Sequence, residues 1–298
     1  MVSDLSSQKK AAIVIEALPF IKQFYGKTMV IKYGGNAMLN DKLKHMVIQD
    51  ITLMRYVGIS PVVVHGGGPE ITDFLKKVGK KSEFVSGLRV TDLETVEIAE
   101  MVLNGKINSE IVSLLNADGI KAVGVSGKDA NLIRARKKLA VVHDHGTESE
   151  VDIGYVGEVE RINEKLLTDL IQSGYVPVIA PIGVGADYES YNINADYVAA
   201  EIAGAMKAEK LLLLTDTEGV YRDFEDKSTF ISSLTKDEAL GMINDGTIAG
   251  GMIPKVEACL RALQLGARKV HIIDGRQPHS LLLEVFTAQG IGTQIKTR

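Results

Sequence analysis

From residue 29 onward, strand-length apolar runs alternate with helix-length amphipathic stretches almost without interruption. Strands are expected at 29–33, 61–65, 122–125, 176–180, 210–214 and 269–273. Between and after them, helical spacing covers 40–57, 69–79, 108–117, 163–172, 194–206, 236–244, 254–265 and 278–288, and a further helix runs from a cap at Thr91 or Asp92 to about 103. This alternation predicts an α/β chain with a mainly parallel sheet covered by helices on both faces. Residues 139–161 break the pattern: apolar runs flank the polar loop 143–150, which reads as a hairpin-like excursion on the sheet edge. Before the first strand, residues 8–25 carry two adjacent stripes, Ile13, Ala17, Phe20, Phe24 and Val14, Leu18, Ile21, Tyr25. They predict an apolar helix, kinked or divided at Pro19, that needs a partner surface in its own domain or in a neighbouring subunit.

At 298 residues the chain fits one large α/β unit or two lobes. We expect three parts: the helical extension 1–27, a lobe 28–205 and a lobe 206–298. A formal net charge of -4, with the basic residues scattered, leaves no footprint for nucleic acid or an anionic membrane, so a small-molecule partner is expected. The start lacks the apolar core of a secretion signal, and no run is long enough to cross a bilayer. A cytoplasmic location follows, with an organelle stroma as the alternative. Cys259 is the single cysteine and sits in an apolar helical pattern, which reads as a buried thiol.

Three glycine clusters lie at strand or helix ends: Gly34-Gly35, Gly66-Gly67-Gly68 and Gly250-Gly251. Glycines let backbone amides approach phosphate or carboxylate oxygens with no Cβ in the way, and a helix amino end adds favourable potential. Each cluster alone reads first as a turn. Lysines beside two of them, Lys32 and Lys255, suit phosphoryl transfer, where the protein mainly supplies fixed positive charge and positioning. Asp196 is placed to hold two lysines apart or only to cap its helix. Arg89 suits a carboxylate-bearing ligand or a surface salt bridge. Residues 26–28 end like a phosphate-binding P-loop, but Ile21 stands where the first glycine is required, and Gly183-Val184-Gly185 does not complete a dinucleotide fingerprint. His143-Asp144-His145 reads as a loop tip or a metal cluster, and we expect no dedicated metal site.

The segments VIKYGGNAM (30–38), VVVHGGGP (62–69), GLRVT (87–91), NINAD (192–196), LTDTEGV (214–220) and GMIPK (251–255) resemble, in order, the amino acid kinase family, in particular its acetylglutamate kinases. The resemblance implies a three-layer αβα sandwich with an amino-terminal acceptor lobe and a carboxyl-terminal ATP lobe. It implies transfer of the γ-phosphate of MgATP to the side-chain carboxylate of N-acetyl-L-glutamate, on the path to arginine, with Mg²⁺ held mainly by the nucleotide phosphates. Lys32 and Lys255 would stabilise the transition state, with Asp196 orienting them. Gly34 and Gly35 would cradle the moving phosphoryl group, and Gly66, Gly67, Arg89 and Asn192 would bind acetylglutamate. Thr215, Asp216, Gly219, Val220, Thr247, Gly250 and Gly251 would line the nucleotide site. Arginine-inhibited members carry a comparable amino-terminal helix and form hexamers, as trimers of dimers, by interlacing it. Their motif reads EALPYI where this chain has EALPFI, with Phe20 in place of the tyrosine. His271, Glu284 and Gly290 resemble the arginine-binding segment. The alternatives are a sister kinase acting on carbamate, aspartate, glutamate or UMP, and a non-catalytic arginine sensor.

Overall fold

The structure is a computed structural model and describes residues 6–144 and 147–297; His145 lies outside the described residues, as do the side chains of His143 and Asp144. Eight strands form one sheet in the order 233–235, 293–296, 270–274, 210–215, 28–33, 60–65, 176–180, 122–126. All neighbours pair in parallel except 293–296 against 270–274. The first strand, Thr28–Tyr33, is central, and later segments add on both sides of it. The order therefore reverses at this strand, and a crevice opens beyond the carboxyl ends there, where open α/β sheets bind ligands.

The central strands are continuous apolar runs because both faces are covered. Val30, Val62, Val64, Leu211 and Leu213 pack on one side with Val198, Ile202, Val256 and Leu260. Met29, Ile31, Val63, Leu212 and Leu214 pack on the other with Ile48, Ile51, Leu103 and Leu281. Strand side chains alternate, so Lys32 follows Val30 onto the face carrying the helices Ala195–Ala205 and Ile253–Leu265. Cys259 is fully buried within this layer, and burial raises its thiol pKa.

Three expectations change in detail. The amino-terminal helix, Ser7–Phe24, is neither divided nor ended at Pro19; Phe24 is buried, while Ile13, Val14 and Ile15 are each more than half exposed. The two helices expected between 92 and 117 form one run: Leu93–Glu100, capped by Asp92, widens into a π-helix at Met101–Asn108 and continues as Ser109–Ala117. The 139–161 excursion is not on the main sheet's edge. Strands Ile133–Asp144 and Thr147–Ile162 close a separate four-stranded barrel with Ile182–Val184 and Ser190–Asn192. Gly183 sits in one of these strands, where close packing calls for glycine: a methyl group there would fall 2.7 Å from the Ala135 Cβ of the strand alongside.

Candidate active site

Lys32, at the end of the first strand, meets Asp196 with its Nζ 3.0 Å from Oδ1, and Lys255 Nζ lies 3.0 Å from Oδ2. Each residue arrives by its own local logic. Asn194 caps the helix Ala195–Ala205, its side chain accepting from the Asp196 amide at 2.8 Å, which fixes Asp196 in the first turn. A short 3₁₀ turn, Gly250–Met252, leads into Ile253–Leu265, where Pro254 sits in the first turn beside Lys255. A lysine at a helix amino end opposes the helix dipole. The carboxylate offsets that unfavourable placement, and the ammonium is kept at the point where two helices begin. Burial pushes the Asp196 carboxyl up, but the two ammonium charges outweigh it and hold the group below the ordinary carboxylate range.

Two clefts meet at these charges. A smaller one, of about 290 Å³, is lined by Lys32, Gly34, Gly35, Gly66, Gly67, Arg89, Asn192 and Asp196. Room for the Lys32 head depends on Gly34, where a methyl group would fall 2.6 Å from Nζ. Gly35 adopts φ 69°, in the left-handed region, and a methyl group there would meet the Asp216 carboxylate at 2.5 Å. Arg89 is buried and aimed by its own partners: it donates to Ser82 Oγ at 2.6 Å and to the Gly68 carbonyl and Thr72 Oγ1 at 2.9 Å each. The larger cleft, of about 620 Å³, is lined by Thr215, Asp216, Gly219, Val220, Thr247, Gly250, Gly251 and Lys255. Every catalytic, substrate and phosphate candidate from the sequence thus falls on one of two adjoining clefts, with Lys32 and Asp196 on one and Lys255 on the other.

Sequence reasoning missed the apolar walls: Phe84, Leu88 and Pro181 in the smaller cleft, Tyr221 and Phe224 in the larger. Phe224 stands among charged residues in the stretch 222–227, and that aromatic ring was the available signal. It stands edge-on to Tyr221 with ring centres 5.9 Å apart, and Lys227 Nζ lies 4.4 Å from both ring centres. Among the described residues, no group of three or more histidine, cysteine or acidic side chains is arranged to hold a metal ion.

His271, Glu284 and Gly290 come together elsewhere. His271 Nδ1 lies 2.7 Å from Glu284 Oε1, and Glu284 Oε2 accepts from the amides of Ile291 at 2.9 Å and Gly292 at 3.1 Å. Gly290, at φ 63°, bends the chain closely around that carboxylate. Burial pushes Glu284 up, and these partners bring it down to about 2. Lys210 Nζ stands 3.5 Å from the Glu284 carbonyl and 5.2 Å over the Phe24 ring, tying this corner to the amino-terminal helix.

The chain matches the model of the amino acid kinase family over residues 27–274. It is 58% identical over 291 residues to the acetylglutamate kinase of Moorella thermoacetica, covering 98% of each chain. It is 59% identical over 285 residues to that of Desulfitobacterium hafniense, covering 95% of this chain and 96% of the other. The structure of N-acetylglutamate synthase from Neisseria gonorrhoeae, complexed with coenzyme A and N-acetyl-glutamate, superposes with a TM-score of 0.82 at 26% identity; the match covers 97% of this chain and 63% of the synthase chain. The family match and these nearly end-to-end identities place the two-cleft arrangement in a known lineage, and the chain belongs to the amino acid kinase family, among its acetylglutamate kinases.

Proposed function

We propose that this chain transfers the γ-phosphate of MgATP to the side-chain carboxylate of N-acetyl-L-glutamate, forming N-acetylglutamyl 5-phosphate in arginine biosynthesis. The observation that carries the reading is the Lys32–Asp196–Lys255 arrangement at the junction of two clefts, in a chain 58% identical to named acetylglutamate kinases. In this reading the acceptor lies in the smaller cleft, its α-carboxylate against Arg89 and its amide against Asn192. The nucleotide lies in the larger cleft between Thr215, Asp216, Gly219, Val220 and the 247–251 turn. A carboxylate oxygen attacks the γ-phosphorus and the bond to the β-bridging oxygen breaks. Negative charge spreads over the transferring oxygens, where Lys32, Lys255 and the Gly34, Gly35, Gly66 and Gly67 backbone oppose it. Asp196 accepts no proton in this scheme; it keeps two like charges from moving apart. Mg²⁺ would come with the nucleotide, its phosphates as the main ligands, and would neutralise charge on them.

Regulation belongs to the same reading. We take residues 28–205 as the acceptor lobe, 206–298 as the nucleotide lobe and 1–27 as an oligomerisation helix. The exposed Ile13, Val14 and Ile15 support assembly into a hexamer, and the His271, Glu284 and Gly290 corner, in contact with that helix through Lys210 and Phe24, supports arginine binding there. None of the described helices is long and apolar enough to cross a membrane, in keeping with a cytoplasmic enzyme. A coupled acyl-phosphate assay with N-acetylglutamate and glutamate side by side, titrated with arginine, tests the whole. Turnover of N-acetylglutamate, depressed by arginine, is expected. Normal turnover after Lys32→Ala or Lys255→Ala would overturn the assigned roles.

A further inference from the structure

Beneath the Gly66–Gly68 turn lies a buried polar chain that the reaction scheme does not use. His65 ends the second strand with no exposed surface. Its Nδ1 is 2.8 Å from the Gly66 carbonyl oxygen, and its Nε2 is 3.2 Å from Asn108 Nδ2. Asn108 closes the π-helix Met101–Asn108, and the same Nδ2 donates to the Val178 carbonyl at 2.9 Å. An amide nitrogen carries only donors, so the facing Nε2 is the acceptor, and the ring proton belongs on Nδ1, where it donates to Gly66. Only one tautomer satisfies both contacts. A doubly protonated ring would set two donors against each other at Nε2, and burial pushes the His65 pKa down to about 4, which keeps the ring neutral.

The consequence reaches the cleft through peptide planarity. In a trans peptide the carbonyl and the following N–H point in opposite directions. With the Gly66 carbonyl drawn down to His65, the Gly67 N–H faces away from the buried ring, and Gly66 and Gly67 both line the smaller cleft. The π-helix also abuts this turn, since a methyl group at Gly67 would meet Ile107 and would fall 2.6 Å from Leu103 Cδ2. We propose that Asn108 and His65 act as a positioning relay: the π-helix sets the imidazole tautomer, the imidazole sets the Gly66–Gly67 peptide, and that peptide presents an amide donor to the carboxylate or phosphoryl oxygen in the cleft. This rests on the acceptor-cleft reading above and names residues that touch no substrate themselves.

The test joins a spectrum with a pair of variants. In ¹⁵N-histidine-labelled protein without substrate, the His65 resonances, assigned by their loss in His65→Asn, are expected to show protonated Nδ1 and bare Nε2. His65→Asn places an amide donor near the Nδ1 position and is expected to hold kcat within about tenfold of wild type. His65→Leu keeps comparable bulk without a donor and is expected to lower kcat about a hundredfold, as misplacement of a reacting-site group does, with the KM for MgATP unchanged. A protonated Nε2, or equal losses in the two variants, overturns the relay. The wild-type spectrum decides the tautomer even if His65→Leu does not fold. Failure of the wild-type enzyme to phosphorylate N-acetylglutamate would overturn the functional reading and leave the tautomer measurement standing.

Discussion

The Tyr197 hydroxyl donates to Glu257 Oε2 over 2.7 Å, one residue past Asp196 on one helix and two past Lys255 on the other. Further along, Arg261 donates to Glu201 at 2.7 Å and Gly204 lies against Leu265. The offsets between partners are 59, 60, 60 and 61 residues, so the helices Ala195–Ala205 and Ile253–Leu265 run parallel and begin at the same place. Both amino ends, each worth about half a positive charge, therefore add to the two lysines. A double-mutant cycle with Tyr197→Phe and Glu257→Gln is expected to give a coupling of about 0.5–1 kcal/mol in urea unfolding, since Glu257 is exposed. A few-fold loss of kcat is expected alongside, as the pair moves Lys255 relative to Asp196.

Asp196→Asn removes the charge that holds Lys32 and Lys255. Turnover is expected to fall at least about a hundredfold, and stability at neutral pH by about 3 kcal/mol, because two ammonium groups are left in a buried corner. The Asp196 pKa is depressed on folding, so its stabilising contribution is present above the unfolded carboxylate pKa of about 3.9 and is lost as pH falls below it. The gap between wild type and variant in urea unfolding should therefore close towards pH 3. A gap that widens on acidification would contradict the pairing.

Two glycine substitutions should separate chemistry from packing. In Gly34→Ala the new methyl group displaces the mobile end of Lys32, so kcat is expected to fall about tenfold or more with stability within about 0.5 kcal/mol of wild type. In Gly67→Ala the obstacles are the packed side chains of Ile107 and Leu103, so about 1–3 kcal/mol of stability is expected to go, with a raised KM for the acceptor. Steady-state kinetics and urea midpoints on the same preparations check both.

Asp50 should set an opposite pH trend. It is buried within the helix Asp41–Tyr56, with Oδ1 2.6 Å from His279 Nδ1 and Oδ2 buried without a hydrogen-bond partner, near the amides of Leu281 and Leu282. Burial raises its carboxyl to about 6, and the histidine and the amides only partly reverse this. A carboxyl whose folded pKa is raised reduces stability progressively as pH rises from the unfolded value of about 3.9 to about 6, by about 3 kcal/mol in all. Asp50→Asn keeps a carbonyl acceptor for His279 but cannot ionise. Relative to wild type, the variant is expected to gain stability across that interval and hold the gain above pH 7.

The sheet was readable because strands covered on both faces must be apolar throughout, and 29–33, 61–65 and 176–180 are such runs. The lysine and glycine positions were readable because each stands at the end of its element, where turn and capping chemistry is local. The parallel helix pair was not, since Tyr197 and Glu257 have no meaning to each other until the sheet brings them together. The π-helix was equally hidden: residues 104–107 read as a gap between two helices, and the turn it packs against, at His65 and Gly67, lies about forty residues earlier. The barrel was misread as an edge excursion because its closing strands, Ile182–Val184 and Ser190–Asn192, are three residues each, too short for a period to register.

The central place of Thr28–Tyr33 has a further consequence during synthesis. This strand emerges early, yet one of its two neighbours, Lys210–Thr215, follows roughly 180 residues later. At about 5–20 residues per second, a nascent chain waits roughly 10–40 s with an apolar strand edge unpaired on that side. Such an edge is a template for pairing with other chains. The ribosome-bound chain therefore carries an aggregation hazard in the segment that later supplies Lys32, and a translational pause before residue 215 would lengthen that exposure.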